Sequence, residues 1–156
     1  MSAAPQPITE EQVQQDLVRL DAYRGQLNAM VQQYQYLVSS RGDHIRARET
    51  LEGLDRTEAG SELLVPVGGD AFLRGTAKKD EKVFLGLGAG VIVELERPKV
   101  SEILAQRLQK IEQASQDLEG QIRQLEDRIQ MLTQRLDAIT RGAPGEGDSP
   151  DDVGGD

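Results

Sequence analysis

The sequence predicts a mainly α fold with a small β portion: a long antiparallel two-helix coiled coil carrying two β-hairpins at the helix junction. Three observations carry this expectation. In the last third, Leu104, Leu108, Ile111, Ser115, Leu118, Ile122, Leu125, Ile129, Leu132, Leu136 and Ile139 step four and three alternately without a slip, and a sustained 3.5-residue repeat must supercoil to keep its seam on a partner. The middle, from Leu63 to Glu96, is punctuated by glycine and carries short apolar runs of strand type. Finally, the 156 residues are only 3% aromatic and contain no Trp, a poverty that seams of Leu, Ile and Val tolerate better than a compact globular core.

Residues 1–8 are small, polar and proline-bearing and are expected to be flexible. A helix over 9–57 follows. Thr9 with Gln12 forms a capping-box pattern, and Ile8 with Val13 has the spacing of a hydrophobic staple, so both devices place the N-cap at Thr9. Its main apolar row is Val13, Leu17, Leu20, Leu27, Val31, Tyr34, Val38 and Ile45, with a second, offset row of Tyr23, Leu27, Met30, Tyr34, Leu37 and Leu51. Two rows give a broad stripe, suited to more than one neighbour. Gly25 and Gly42 weaken the helix by roughly 1 kcal/mol each relative to Ala, and it fades between Gly53 and Gly60.

Strands are expected near Leu63–Val67, Ala71–Thr76, Val83–Leu87 and Val91–Leu95, the hairpins together spanning 63–96. A second helix covers 98–141, opened by Pro98 and closed by Gly142 and Pro144. Two arms of about 45 residues each reach roughly 65 Å. Joined through the hairpins, they pair most economically as an antiparallel coiled coil with both termini at the free end. Residues 142–156 form an acidic tail too poor in apolar side chains to order, so the domain proper runs over 9–141.

The net charge of −9, with Glu146, Asp148, Asp151, Asp152 and Asp156 in a tail lacking Lys and Arg, argues against nucleic-acid or anionic-membrane partners. No cysteine is present, which excludes disulfides, thiolate metal sites and thiol nucleophiles. The single histidine, His44, lies within the first helix and reads as a packing or solvated residue. Gly86, Gly88 and Gly90 are followed by strand instead of a helix N-terminus, which removes a phosphate-cradling reading and leaves a hairpin turn. No catalytic residue, metal site or cofactor is expected, and the chain does not read as an enzyme. With no apolar leader and no apolar run near the roughly 20 residues that span a bilayer, it is expected to be soluble and cytoplasmic.

Four short strands cannot cover both of their faces, and they leave open edges. The insert is therefore expected to be an assembly joint, its candidate residues being Leu64, Val65, Val67, Phe72, Leu73, Val83, Leu85, Val91, Val93 and Leu95. At the opposite end, Val13, Leu17, Leu20, Ile129, Met131, Leu132, Leu136 and Ile139 gather where two helices cannot cover every apolar side chain. That tip is the remaining candidate functional surface. Met131, off the heptad seam, is of the adaptable kind.

Leu64-Val65-Pro66-Val67-Gly68, then Ala71-Phe72-Leu73-Arg74-Gly75, then Gly88-Ala89-Gly90-Val91-Ile92-Val93-Glu94, set between two helical arms, resemble a prefoldin subunit of the alpha class, of archaeal type. The resemblance covers roughly residues 9 to 141. It implies a hexamer with beta-class subunits, two alpha and four beta, whose hairpins form a double β-barrel platform. It further implies ATP-independent holding of unfolded client proteins at the coiled-coil tips and their delivery to a group II chaperonin. The acidic tail departs from that pattern. A structural or adaptor coiled coil that binds one defined partner through its seam is the alternative reading.

Overall fold

The computed structural model describes residues 8–79 and 81–142; the expected flexible N-terminus before Ile8 and the acidic tail after Gly142 lie outside the described residues. The order is α1 (Glu10–Arg56), β1 (Glu62–Gly68), β2 (Ala71–Thr76), β3 (Val83–Gly88), β4 (Val91–Leu95) and α2 (Arg97–Gly142). Two compact units emerge. A terminal unit joins the chain up to Gln32 with the chain from Glu119, and a central unit spans Gln33–Leu118.

The helix ends follow from local chemistry. The Thr9 hydroxyl accepts from the Gln12 amide at 3.3 Å while the Gln12 side chain accepts from the Thr9 amide at 3.1 Å, so each of two donors left over by the helix start is satisfied by the other residue's side-chain oxygen. Neither Gly25 nor Gly42 interrupts α1, which ends at Arg56. There the Thr57 hydroxyl donates to the Gly53 carbonyl at 2.7 Å. α2 begins one residue before the expected Pro98, with the Glu96 carbonyl accepting from Lys99 and Val100 at 3.0 and 3.1 Å. Pro98 then occupies a first-turn position whose missing N–H costs nothing.

The strands form two separate two-stranded antiparallel sheets, β1 with β2 and β3 with β4. Their turns are built alike. Gly69 and Asp70 both have φ of 57°, and Ala89 and Gly90 have φ of 49° and 79°, so each two-residue turn has the double positive φ of a type I′ hairpin, whose twist matches that of the strands. A bulge precedes each turn, between Pro66 and Gly68 and between Gly86 and Gly88. Asp70 is a residue type that tolerates this conformation. Ala89 is not.

In the central unit, Leu51 of α1, Leu85 of β3 and Val100 and Leu104 of α2 form the buried core, flanked by Ala47, Val83, Val93, Leu95 and Ile103. The pairs Val83–Leu95 and Leu85–Val93 stand on alternate rungs of the second hairpin, and the two-residue period of a strand puts both pairs on one face. Arg107 ties that hairpin to α2 by donating to the Gly86 carbonyl at 2.7 Å. Arg97, 9% exposed, draws together three segments by pairing with Asp55 of α1 at 3.2 Å and donating to the Lys78 carbonyl. The first hairpin is joined at its base, where buried Ala77 exchanges backbone bonds with Gly60 and Ser61 at 2.8 and 2.9 Å.

One expectation for α1 needs correction. The offset row is covered throughout, with Tyr23, Leu27 and Met30 in the terminal unit and Tyr34, Leu37 and Leu51 in the central unit buried or half-buried, whereas in the main row Val13, Leu20, Leu27, Val31 and Tyr34 are covered and Leu17, Val38 and Ile45 are exposed. At Leu17 the physical reason is Asp16. It occupies the seam position between Val13 and Leu20 and is 3% exposed, which turns its neighbour Leu17 outward.

Because Ala89 holds a left-handed conformation without a hydrogen-bonding side chain, replacing it with Gly removes a strain of about 1 kcal/mol. Ala89→Gly is expected to raise the thermal midpoint followed by circular dichroism, and Ala89→Val to lower it.

Candidate functional site

Two groups of uncovered apolar side chains stand out, one in each unit. In the central unit, the hairpins leave Leu64, Val65, Val67, Phe72, Leu73, Phe84, Leu87, Val91 and Ile92 between 47% and 72% exposed. Of the residues expected at an assembly joint, Leu64, Val65, Val67, Phe72, Leu73 and Val91 are in this exposed set. Val83, Leu85, Val93 and Leu95 instead turn inward onto the helical core, and they act by anchoring the second hairpin. The sequence reading passed over Phe84, Leu87 and Ile92. Strand alternation was the signal available: with Val83 and Leu85 facing inward, Phe84 must face outward, and the core that fixes which face is inward includes Leu51, far away in sequence.

The strands also present free edges, since each sheet contains only two of them. Pro66 lies on β1 opposite Phe72, an edge position compatible with its lack of an N–H.

In the terminal unit, the segments of α1 and α2 run antiparallel, with Asp16 near the start of α1 held against Arg135 near the end of α2. Leu20 and Leu125 are the buried apolar side chains of this seam at 6% and 4% exposure, while Val13, Ile129, Leu132, Leu136 and Ile139 are half-buried along it. Leu17 and Met131 are exposed, and so is Val18 at 62%, which the sequence reading did not single out. The eight expected residues therefore divide into a seam and an outer pair. Of these the outer pair is openly available, as are Val18 and, at 42% exposure, Ile8.

Asp16 is the unusual group in this seam. Arg135 Nε lies 3.3 Å from its Oδ2 and Arg19 Nη1 lies 3.9 Å from its Oδ1. Oδ2 nonetheless has no aligned hydrogen bond among the described residues, so the Arg135 contact is charge pairing without good donor geometry. Together the two guanidiniums offset the charge of a carboxylate placed among apolar neighbours. Beside this pair, Arg19, Tyr23, Arg128, Met131, Leu132 and Arg135 line an open concavity of about 250 Å³.

His44 donates from Nδ1 to the Ser40 carbonyl one turn earlier at 2.7 Å and is half-buried in the central unit, a helix-packing arrangement. No helix among the described residues is long and apolar enough to cross a membrane.

Removing Arg135 would leave the buried Asp16, among the described residues, with the more distant Arg19 as its one cationic partner. Arg135→Ala is expected to cost about 1 to 3 kcal/mol in urea unfolding, whereas Asp16→Leu, which fills the seam with an apolar side chain, is expected to be neutral or stabilising.

The family model described as Prefoldin, prefoldin subunit, matches residues 23–142. Among curated proteins, the chain is 34% identical over 109 residues to the prefoldin subunit alpha of Methanopyrus kandleri, an alignment covering 67% of this chain and 69% of that protein. Among solved structures, it is similar to a chain of the filamentous PFD of Methanocaldococcus jannaschii, with a TM-score of 0.62, 24% identity, and coverage of 74% of this chain and 95% of that one. It is also similar to the prefoldin beta subunit of Thermococcus strain KS-1, with a TM-score of 0.57, 22% identity, and coverage of 87% and 97%. At these identities the two structures speak to the fold.

Proposed function

The chain belongs to the prefoldin family, and from that membership we propose that it is an ATP-independent holding subunit whose hairpins assemble with beta-class partners and whose terminal unit binds non-native polypeptide. The family and the alpha-subunit relatives make it a prefoldin chaperone subunit. The observation that carries the finer reading is the two-faced second hairpin: Val83, Leu85, Val93 and Leu95 are used inside the chain, while Phe84 and Ile92, 72% and 67% exposed, are left for something else to cover.

Open strand edges beside an uncovered apolar face favour closure by strands of other chains. A six-chain assembly of two such subunits with four beta-class subunits meets that need. In the terminal unit, Leu17, Val18 and Met131 are uncovered without any strand edge, which suits contact with side chains of an extended client more than sheet formation. Each contact is weak. Several such units engaging one client raise the effective concentration of every further contact, so sequence-tolerant binding suffices without nucleotide hydrolysis. Delivery of the client to a group II chaperonin and a cytoplasmic site of action belong to the same proposal.

Mixing the full chain with a beta-class subunit tests both halves. Native mass spectrometry is expected to give a six-chain species, which Phe84→Asp with Ile92→Asp abolishes while helix content persists. In ATP-free aggregation assays of an unrelated unfolded protein, Leu17→Ser with Val18→Ser and Met131→Ser is expected to weaken suppression severalfold and leave the assembly mass unchanged. Suppression that survives these changes and also survives removal of residues up to 20 and beyond 129 would refute the role given to the terminal unit. Tight binding of one defined partner with no protection of unrelated proteins would favour the adaptor reading.

A further inference from the structure

We propose that the arginine-rimmed concavity of the terminal unit selects, among non-native polypeptides, segments in which carboxylates flank apolar side chains. This rests on the reading of the terminal unit as the holding surface, and adds the chemical class that it prefers. The concavity pairs an apolar floor of Tyr23, Met131 and Leu132 with three guanidiniums, Arg19, Arg128 and Arg135, and among the described residues no acidic side chain lines it.

The charges lining it are not cancelled by Asp16. Arg19 and Arg135 share a single carboxylate, Asp16, whose side chain is 4% exposed and therefore withdrawn from solvent. Arg128 has no ion pair within 4.0 Å among the described residues. Three positive charges against one negative leave an excess of two, on a chain whose overall charge is −9. A local cationic site on an acidic molecule is a selective feature, because a basic segment attracted to the molecule at large meets repulsion at this position.

Geometry supports the same ligand. The Arg19 and Arg135 side chains are 63% and 48% exposed, so their planar donor arrays remain open to carboxylates, which they can take in bidentate fashion. Their aliphatic stems extend the apolar floor. A volume of about 250 Å³ admits side chains, not a folded element, as a holding surface for extended chain requires. Met131, 69% exposed, can adapt to apolar groups of different shape.

The test uses the full chain assembled with its beta-class partner and three labelled peptides of identical Leu and Phe content, one bearing Glu, one Lys and one only Ser between the apolar positions. Fluorescence anisotropy is expected to show the Glu peptide binding about five- to tenfold more tightly than the Lys peptide at low salt, the size of effect that two exposed ion pairs supply. The difference should shrink as salt is raised. Arg19→Gln with Arg128→Gln is expected to bring the two within about twofold without changing Ser-peptide affinity; Arg135 is left in place because it holds Asp16. Equal affinities in the unaltered protein, or a preference that persists in the double variant, would overturn the proposal. If the Ser peptide binds and the Glu peptide binds no better, only the charge selectivity falls; if none of the three binds, the holding surface itself falls. Residues 143–156, with five carboxylates and no Lys or Arg, are the competing occupant. A Glu preference that appears only after their removal would assign the concavity to the chain's own tail and reject the proposal.

Discussion

Two helices lying side by side can cover only one stripe on each other, and every other feature of this chain answers to that shortage of cover. Among the described residues, eight apolar side chains are buried and sixteen large ones are exposed. Where a third element is laid over the pair, as the second hairpin is in the central unit, a true core forms around Leu51, Leu85, Val100 and Leu104. Among the described residues the terminal unit has no third element. Its seam residues beyond Leu20 and Leu125 are mostly half-buried, and a carboxylate can occupy a seam position because two arginines reach it from the open flank.

The same constraint explains what the sequence made legible. α2 was readable throughout because its apolar residues keep one register, and a seam needs nothing more than register. The start of α1 was readable because a capping box is local, involving Thr9 and Gln12 alone. The hairpins were readable from their glycines. What escaped depends on distant partners. Leu17 looked like a seam residue because leucine outweighs aspartate in any apolar count, yet Asp16 holds the seam position with Arg135 opposite. Likewise Val83 and Phe84 are indistinguishable in a strand pattern until Leu51 and Leu104 decide which side is inward. The rim of Arg19, Arg128 and Arg135 joins residues more than a hundred positions apart, and no local pattern announces it.

Function follows from where cover is missing and from what kind of backbone lies beneath. An uncovered face on a hairpin comes with free N–H and C=O groups at its edge, and these are best satisfied by another strand, in a fixed register and therefore in a defined assembly. An uncovered face on a helix has no free backbone groups. It offers side-chain contact alone, which is weak and tolerant of sequence. The proposed division of labour, hairpins for assembly and terminal helices for holding, is thus a consequence of secondary structure as much as of residue choice. Arg97 and Arg107 keep the hairpin–helix junction fixed within the central unit.

Amide hydrogen exchange on the assembled complex, with and without an unfolded client, tests this division most directly. Client is expected to slow exchange in residues 10–32 and 119–142 and to leave strands β1 to β4 unchanged, those strands having been protected already by assembly. Client-dependent protection in the strands, with none in the terminal helices, would contradict it.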